Sequence, residues 1–537
     1  MRAGLMALVL ASCVGRSDVY PDPDRGSAPR RGGTLRIARE SDPDSLDPGR
    51  SSGWYTARIL VCVHRQLLTF ADAEEPEGYE LVPDLAVALP EVSEDGRRYT
   101  LQVRGGVRYS PPVAREVEAR DFQYAIERVL RLATPAAPSY TGIEGAREYQ
   151  DRRARSVRGI EVAGDRITFT LSKPDPTFPY KLALLAASPV PREAAEGHDD
   201  DYSFRSAASG PYEVERYVPR RRIVLRRNPS DASSAGFADR MEIEIGVSVE
   251  NAYAALRHGE LDAVIGDAPP SQLFRFRRDR RWRPNAFLRG FPDMTWIVLN
   301  TKVEPFDDPR VRKAVCHAID PRAIVKAVLG VAVVPKGLLP STVPGFEEGE
   351  ACPGGHDPAR ARELLAEAGL GRGFSTVLYA YNVNPFPRMA EAIQAMLGQV
   401  GIDVEIRVVN GSVWDAVVGR RATRPPMVMA EWIASLPDPS DWLENNFSPF
   451  RLRADANSNY TEWDTPSARE LFRRAADETD PERRMEAWRE VAREVNRETI
   501  AIPIAEGLAF NVVGARVRGF LFHPIWGPML ERMWLVR

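Results

Sequence analysis

The sequence predicts an α/β fold with more than one domain. A strand pattern at residues 375–381 is followed by a helical pattern at 388–400 and a second strand pattern at 404–408. That order of strand, helix and strand favours a parallel sheet. The chain has 537 residues, which is too long for one simple core, so two or three domains are expected.

The first half of the chain, taken in order, is rich in predicted strands. Apolar and polar residues alternate in short segments, which is typical of strands with one buried face. These segments lie at 34–38, 99–103, 167–171, 223–225 and 241–245. A helix is predicted at 119–130, where Phe122, Ala125, Ile126 and Val129 share one face. The middle portion is therefore β-rich with short helices.

The second half contains the clearer helices. Residues 309–319 have helical spacing, and Asp357 with Pro358 predicts the start of another helix, which Gly369 ends. Aspartate can accept hydrogen bonds from the free N–H groups of a first turn, and proline fits the first helical position. A long helical pair is predicted at 469–496, divided near Asp480.

The amino-terminal residues predict export. A positive start, an apolar run at 5–11 and small residues before Cys13 are typical of a secretory signal. The segment resembles a bacterial lipobox, which implies cleavage after residue 12 and lipid attachment to Cys13. The run is too short to span a bilayer, which needs roughly 20 residues. Residues 13–31, rich in Pro, Asp, Arg, Gly and Ser, are predicted to be a flexible tether.

Composition argues against several functions. The net charge is -3, so nothing global attracts a nucleic acid. Six arginines at 275–283 are interpreted as a solvated helix surface, with a phosphate-binding patch as the alternative. The remaining cysteines, Cys62, Cys316 and Cys352, are not a disulfide framework, although one pair could bridge. Neither Cys316 with its neighbouring histidine nor Cys352 with His356 has zinc spacing, so no metal and no cofactor are predicted.

Catalytic motifs are missing from the sequence. It contains no phosphate-binding glycine loop, no dinucleotide fingerprint, no zinc-binding helix with paired histidines and no nucleophile elbow. Triads can assemble from distant positions, so an enzyme of unknown class stays an alternative. The sequence nevertheless favours a protein that is not an enzyme.

Several segments resemble one family, the extracytoplasmic solute-binding proteins of peptide and nickel ABC importers, known as family 5. The most distinctive match runs from Leu299 through the Pro-Phe-Asp-Asp-Pro-Arg segment at 305–310 to Asp320. The order and spacing of the matches extend over nearly the whole mature chain. The others lie at 33–38, 45–48, 81–86, 99–107, 209–212, 223–229, 357–361 and 432–439.

The resemblance implies a periplasmic-binding-protein-like class II fold, a two-lobed clamp with an extra β-rich insert domain. Lobe I is expected at 32–70, 187–280 and 505–537, the insert at 71–186 and lobe II at 281–504. The expected function is capture of a peptide or other small solute between the lobes for ABC permease subunits. The expected location is extracytoplasmic, with the lipid anchor holding the protein to a membrane. A ligand sensor without a transporter is the alternative.

The resemblance also implies a ligand site. An extended ligand would lie between the segment Ser52, Gly53, Trp54 and Tyr55 and the segment Ala430, Glu431, Trp432, Ala434, Ser435 and Asp438. Peptide-binding members carry an aspartate at the position of Ser435, where it holds a free amino terminus. Enclosing a cation without a counter-charge costs several kcal/mol. A ligand without a free amino terminus is therefore predicted here, unless Glu431 or Asp438 substitutes for the missing aspartate.

Overall fold

The computed structural model describes residues 28–233, 235–349, 352–455 and 458–536. The signal peptide, Cys13 and most of the predicted tether lie outside the described residues. Within the described part, no helix has the length and apolar character needed to cross a membrane.

The strands of the described chain form three main sheets and three short two-stranded pairings. They are β1 (Thr34–Arg39), β2 (Leu68–Phe70), β3 (Leu81–Pro83), β4 (Glu91–Val92), β5 (Arg98–Gln102), β6 (Ile160–Ala163), β7 (Arg166–Thr170), β8 (Tyr212–Val218), β9 (Arg222–Arg227), β10 (Arg240–Ile245), β11 (Ala263–Ile265), β12 (Ala286–Leu299), β13 (Ala332–Val333), β14 (Phe374–Tyr381), β15 (Ile402–Val409), β16 (Met427–Ile433), β17 (Ala501–Val512), β18 (Val517–Arg518), β19 (Phe522–His523), β20 (Gly527–Pro528) and β21 (Trp534–Leu535).

The helices alternate with these strands. They are α1 (Trp54–Val63), α2 (Ala119–Arg131), α3 (Ala146–Gln150), α4 (Phe178–Lys181), α5 (Arg192–Ala195), α6 (Val249–His258), α7 (Pro270–Arg278), α8 (Pro309–Ala318), α9 (Pro321–Ala327), α10 (Pro358–Glu367), α11 (Phe386–Gly398), α12 (Gly411–Val417), α13 (Pro439–Phe447), α14 (Pro466–Asp477) and α15 (Pro481–Glu498). Short 3-10 helices lie at Glu77–Tyr79, Ala137–Tyr140, Leu185–Ala187, Tyr202–Phe204, Arg283–Asn285, Arg421–Thr423, Pro449–Arg451 and Leu530–Arg532.

Lobe I is built on a five-stranded sheet in the order β11-β1-β10-β9-β8. Strand β1 is parallel to both β10 and β11 and lies between them in this sheet. Helix α1 packs its apolar face onto the sheet, and the core includes Leu35, Ile37, Ile59 and Leu60. Burial of this apolar surface is the main favourable term that holds α1 in place.

The insert domain contains an antiparallel sheet in the order β4-β5-β7-β6. Helix α2 covers it with Phe122, Ile126 and Val129, the face predicted from the sequence. The same core also includes Trp526 and Met529 from the carboxyl-terminal segment. The insert is therefore packed against lobe I rather than joined to it by a free linker.

Lobe II is built on a six-stranded sheet in the order β13-β17-β12-β16-β14-β15. Strands β14 and β15 are parallel and are connected by α11, so the predicted strand, helix, strand unit is confirmed. Strand β12 pairs with β17 along most of its length, with an irregularity between Gly290 and Met294. Near the end of β17, Phe510 O accepts a hydrogen bond from Ala268 N at 2.8 Å. This bond joins the end of β17 to lobe I.

Strands β12 and β17 therefore run between the two lobes. The predicted boundary at 280/281 falls just before β12, whereas the one at 504/505 falls inside β17. A pair of continuous strands that crosses from one lobe to the other is suited to hinge motion. The domain boundaries given above stay a prediction.

Helix starts follow the predicted capping. Asp357 accepts hydrogen bonds from Ala359 N at 2.9 Å and Arg360 N at 3.0 Å, and Asp480 accepts from Arg483 N at 2.9 Å. The predicted helical pair is confirmed as α14 and α15. The six arginines at 275–283 are all exposed, on α7 and just after it, in agreement with a solvated surface.

Candidate functional site

The loop before α1 is held by Asp44. Its Oδ2 accepts from Ser52 N at 2.7 Å and from Gly53 N at 2.9 Å. A Cβ on Gly53 would lie 2.7 Å from Asp44 Oδ1, so a side chain there would collide with the carboxylate. Glycine at this position therefore lets the loop close on Asp44, and α1 begins at Trp54. Ser52 itself borders a recess near Asp200.

Two aromatic rings at the start of α1 lie over a buried cation. The guanidinium carbon of Arg58 is 4.0 Å from the Trp54 ring centroid and 4.8 Å from that of Tyr55. Arg58 is fully buried, and its three guanidinium nitrogens have no hydrogen-bond partner among the described residues. Cation–π contacts to desolvated rings are worth about 2 kcal/mol. Arg58 therefore fixes the orientation of both rings.

Asp267 supplies the counter-charge for Arg58. It accepts from Tyr55 Oη at 3.1 Å and lies at the end of β11. Burial lowers the pKa of Arg58, and the charge of Asp267 opposes that shift. Burial also raises the pKa of Asp267, which Arg58 opposes. Tyr55 stays 42% exposed, so its ring forms part of an open surface above this charged pair.

In lobe II the second predicted segment is the end of β16 and the turn after it. Ala430 and Ala434 are buried in the lobe II core, whereas Glu431 and Ser435 are exposed. Trp432 is half-buried and its Nε1 donates to Asp441 Oδ2 at 3.2 Å. Buried and exposed side chains therefore alternate here, and the carboxylate of Glu431 faces solvent.

The corner at Ser435 contains a carboxylate from α13. Asp441 Oδ2 accepts from Ser435 N at 2.8 Å as well as from Trp432. Asp441 is buried, and desolvation raises its pKa to about 6 although these hydrogen bonds oppose the shift. Its Oδ2 is engaged with the turn and its Oδ1 accepts from Asn445 Nδ2 at 3.3 Å, so Asp441 positions Ser435 and does not replace the missing aspartate.

One edge of β16 is open. Strand β14 pairs with β16 only at Met427 and Val428, and β15 lies beyond β14. On that side, no other strand of the described chain pairs with residues 429–433. Unpaired N–H and C=O groups on a strand edge can pair with an added strand. The edge leads directly to Glu431, so an extended ligand can bind beside an exposed carboxylate.

Glu431 forms a pair with Asp293 of β12. The two carboxyl groups lie close enough to perturb each other's ionisation, so charging both at once is costly. Burial, together with the charge of Glu431, raises the pKa of Asp293 well above its usual range. Glu431 is open to the cleft yet surrounded by protein atoms, and this desolvation raises its pKa to about 7 while the interaction with Asp293 opposes the shift. Near pH 7 the pair therefore titrates between no charge and one negative charge.

The two lobes meet at this carboxyl pair. Trp54 of lobe I and Ile433 of lobe II both pack against a small cluster that contains Phe291 and Ala509. The Trp54 and Phe291 ring centroids are 4.6 Å apart. The charge of Glu431 also contributes to the raised pKa of Tyr55. The structure thus brings Trp54, Tyr55, Glu431 and their neighbours together where β12 and β17 pass between the lobes.

Asp438, the last residue of the second predicted segment, is buried. Its carboxylate forms a two-point ion pair with Arg484, at 2.7 and 2.8 Å, and both side chains are buried. Asp438 Oδ1 also accepts from Ser440 N at 3.0 Å, which caps α13. This arrangement gives Asp438 a structural role, and we leave it out of the proposed site.

Sequence reasoning missed Arg58, Asp267 and Asp293. Asp267 follows a short run of apolar strand residues. A carboxylate just past the end of a strand could have indicated a site residue. Asp293 lies inside the long strand β12, where no local pattern separates it from its neighbours. Among the described residues no group of histidine, cysteine and acidic side chains could hold a metal ion.

The chain is similar to known proteins in both sequence and fold. Residues 80–452 match the model of the bacterial extracellular solute-binding proteins, family 5. The dipeptide-binding protein of Escherichia coli (strain K12) is 27% identical over 517 residues, 92% of each chain. The solved structure of clavulanic acid biosynthesis oligopeptide binding protein 2 has a TM-score of 0.88 and 27% identity, and covers 95% of this chain and 96% of its own. A periplasmic binding protein from Helicobacter pylori in complex with a peptide shares the fold, with a TM-score of 0.77 at 23% identity over 95% of this chain and 99% of its own.

Proposed function

The chain belongs to the bacterial extracellular solute-binding proteins of family 5, and from that membership we propose that it is the extracytoplasmic receptor of an ABC importer. It captures a peptide or another small solute between its lobes and delivers it to the permease. The observation that carries the proposal is the open edge of β16 opposite Trp54 and Tyr55. The names of the relatives, dipeptide-binding and oligopeptide-binding proteins, support it.

The proposed ligand binds as an added strand. Main-chain hydrogen bonds to residues 429–433 of β16 would supply affinity with little dependence on side chains. Trp54, Tyr55 and Trp432 would form apolar walls beside it. Gly53, Ala430, Ala434 and Ser435 would shape the ends of this channel, and Ser52 would hold the loop on Asp44. No catalytic step is part of this function.

The charge of the cleft also restricts which ligands can bind. Glu431 presents an exposed carboxylate to the cleft, while Arg58 is enclosed and balanced by Asp267. A hydrogen bond between charged groups is roughly twice as strong as a neutral one. We therefore propose that Glu431 takes the place of the aspartate missing at Ser435 and receives a cationic group, such as a free amino terminus. This proposal replaces the prediction that the ligand lacks a free amino terminus.

The first test is calorimetry of short peptides with free and acetylated amino ends. With its pKa raised to about 7, Glu431 is mostly ionised at pH 7.5 and mostly protonated at pH 5.5. A cationic ligand prefers the ionised form, so free-amino peptides should bind about tenfold more tightly at pH 7.5. Acetylated peptides should bind weakly and show little pH dependence. Tighter binding of the acetylated series at both pH values would show that the ligand lacks a free amino terminus.

Lipid anchoring is proposed separately, from the sequence alone. The lipobox-like segment implies that Cys13 carries the lipid, and two or more acyl chains would hold the protein firmly because each buried methylene contributes ~0.8 kcal/mol. Cys13→Ala is expected to move the protein from the membrane fraction to the soluble fraction after cell lysis. A Cys62→Ala variant serves as the control and should stay in the membrane fraction. Membrane retention of Cys13→Ala would contradict the anchor.

A further inference from the structure

Two of the cysteines pack against the same core in lobe II. Cys316 is on the last turn of α8 and is 2% exposed, and Cys352 is half-buried in the segment before α10. Both pack against the same apolar core, and burial together with the nearby Cys352 raises the pKa of the Cys316 thiol well above its usual range. The residues are far apart in sequence, so tertiary structure alone brings them together.

The backbone around both cysteines is tied together. The carbonyl of Gly355 accepts from His317 Nδ1 at 2.9 Å, and Asp357 N donates to His317 O at 2.8 Å. Gly355 N donates to Cys352 O at 2.8 Å, which closes a tight turn at Cys352. These three hydrogen bonds keep the turn against the end of α8. The backbone therefore holds Cys352 beside the end of α8, where Cys316 lies.

We propose that Cys316 and Cys352 form an intramolecular disulfide bond in the mature protein. An extracytoplasmic compartment is oxidising, and disulfides persist there. The bond would close a loop that carries Ser341, whose N–H and hydroxyl donate to Glu506 of β17 at 3.0 and 2.6 Å. It would thus restrain a segment that contacts one of the two strands crossing between the lobes.

The third cysteine of the described chain cannot take part. Cys62 lies in the core of lobe I, fully buried, and its Sγ donates to Glu531 Oε2 at 3.1 Å. Burial raises the pKa of this thiol well above its usual range, so little reactive thiolate forms. Cys62 is therefore predicted to stay a thiol and serves as an internal control.

The oxidation needs an electron acceptor, and a disulfide of an extracytoplasmic thiol oxidase or of a low-molecular-weight thiol fits. The more accessible Cys352 thiolate attacks one sulfur of that disulfide and displaces the other as a thiolate. Cys316 then loses its proton and attacks Cys352 Sγ, which releases the second oxidant thiolate. Two protein thiols become one disulfide, the oxidant disulfide becomes two thiols, and electrons and protons balance.

The test uses the full chain purified from its exported fraction, with free thiols alkylated before and after denaturation. Peptide mapping by mass spectrometry should find the peptides of Cys316 and Cys352 joined, with a mass about 2 Da below their sum, and Cys62 alkylated only after denaturation. A reducing agent should lower the melting temperature by about 5 °C, in keeping with the length of the closed loop.

The variants separate the bond from general effects of mutation. Cys352→Ser and Cys316→Ala should each lower the melting temperature of the oxidised protein, and neither should respond further to reductant. Cys62→Ala should keep the full response to reductant. Alkylation of both Cys316 and Cys352 in the exported wild-type protein, with a melting temperature that does not change on reduction, would overturn the proposal. This outcome is independent of ligand binding, so it leaves the importer function untouched.

Discussion

Replacing Glu431 with glutamine is expected to lower the affinity for free-amino peptides by about 10- to 100-fold. A hydrogen bond to a charged group contributes about 1.5–3 kcal/mol, and glutamine keeps the shape of the side chain while removing its charge. The remaining cleft, with Trp54, Tyr55 and the open edge of β16, stays in place. Isothermal titration calorimetry at pH 7.5 measures the loss directly.

The controls for Glu431→Gln are the acetylated peptides and a second variant. Acetylated peptides carry no cation, so their affinity should be almost the same for wild type and Glu431→Gln. Ser435→Asp adds a carboxylate at the position where peptide-binding members carry one, and the double variant should recover part of the lost affinity. Unchanged binding of free-amino peptides to Glu431→Gln would remove Glu431 from the site.

Asp438→Asn should lower the free energy of unfolding of lobe II by about 3–5 kcal/mol. The substitution leaves Arg484 as a buried cation without its partner, which is strongly destabilising. The pair is bidentate, with N–O distances of 2.7 and 2.8 Å, and both residues are buried. Chemical denaturation followed by tryptophan fluorescence measures the change, since Trp442 and Trp488 lie in the same core.

A matched ion pair on the surface provides the control for Asp438. Asp464 and Arg469 form the same two-point geometry at 2.7 Å for both contacts, but their side chains are 28% and 45% exposed. Asp464→Asn should cost less than about 1 kcal/mol because exposed pairs contribute little. Normal stability of Asp438→Asn together with a loss of peptide affinity would return Asp438 to the ligand site.

Local patterns in the sequence were enough to predict α2, α8, α10, α11, α14 and α15. The first turns of α8, α9, α10 and α15 all begin after an aspartate followed by proline, and each aspartate accepts a backbone hydrogen bond. Asp438 precedes Pro439 in the same way and caps α13. The same Asp-Pro pattern therefore indicated a helix cap at Asp438. The family resemblance led instead to the prediction that Asp438 binds ligand.

The parts that could not be predicted depend on distant pairing. Strand β12 contains Gly290, Pro292 and Asp293, and its buried residues do not alternate with exposed ones, so the period of a strand is absent. Its partner β16 lies far along the chain, and only that pairing places Asp293 beside Glu431. The two ligand segments came from the family resemblance, whereas the charged residues around them became visible only in the fold.

The proposed ligand contacts both lobes at once. Photo-crosslinking tests this mode of binding most directly. A short free-amino peptide with a diazirine group, chosen for tight binding by calorimetry, is irradiated with the full-length protein and the products are mapped by mass spectrometry. We expect crosslinks in residues 52–55 of lobe I and 430–435 of lobe II, both lost in competition with the unlabelled peptide. Competed crosslinks confined to one lobe, or located in the recess beside Asp200, would contradict ligand binding between the lobes.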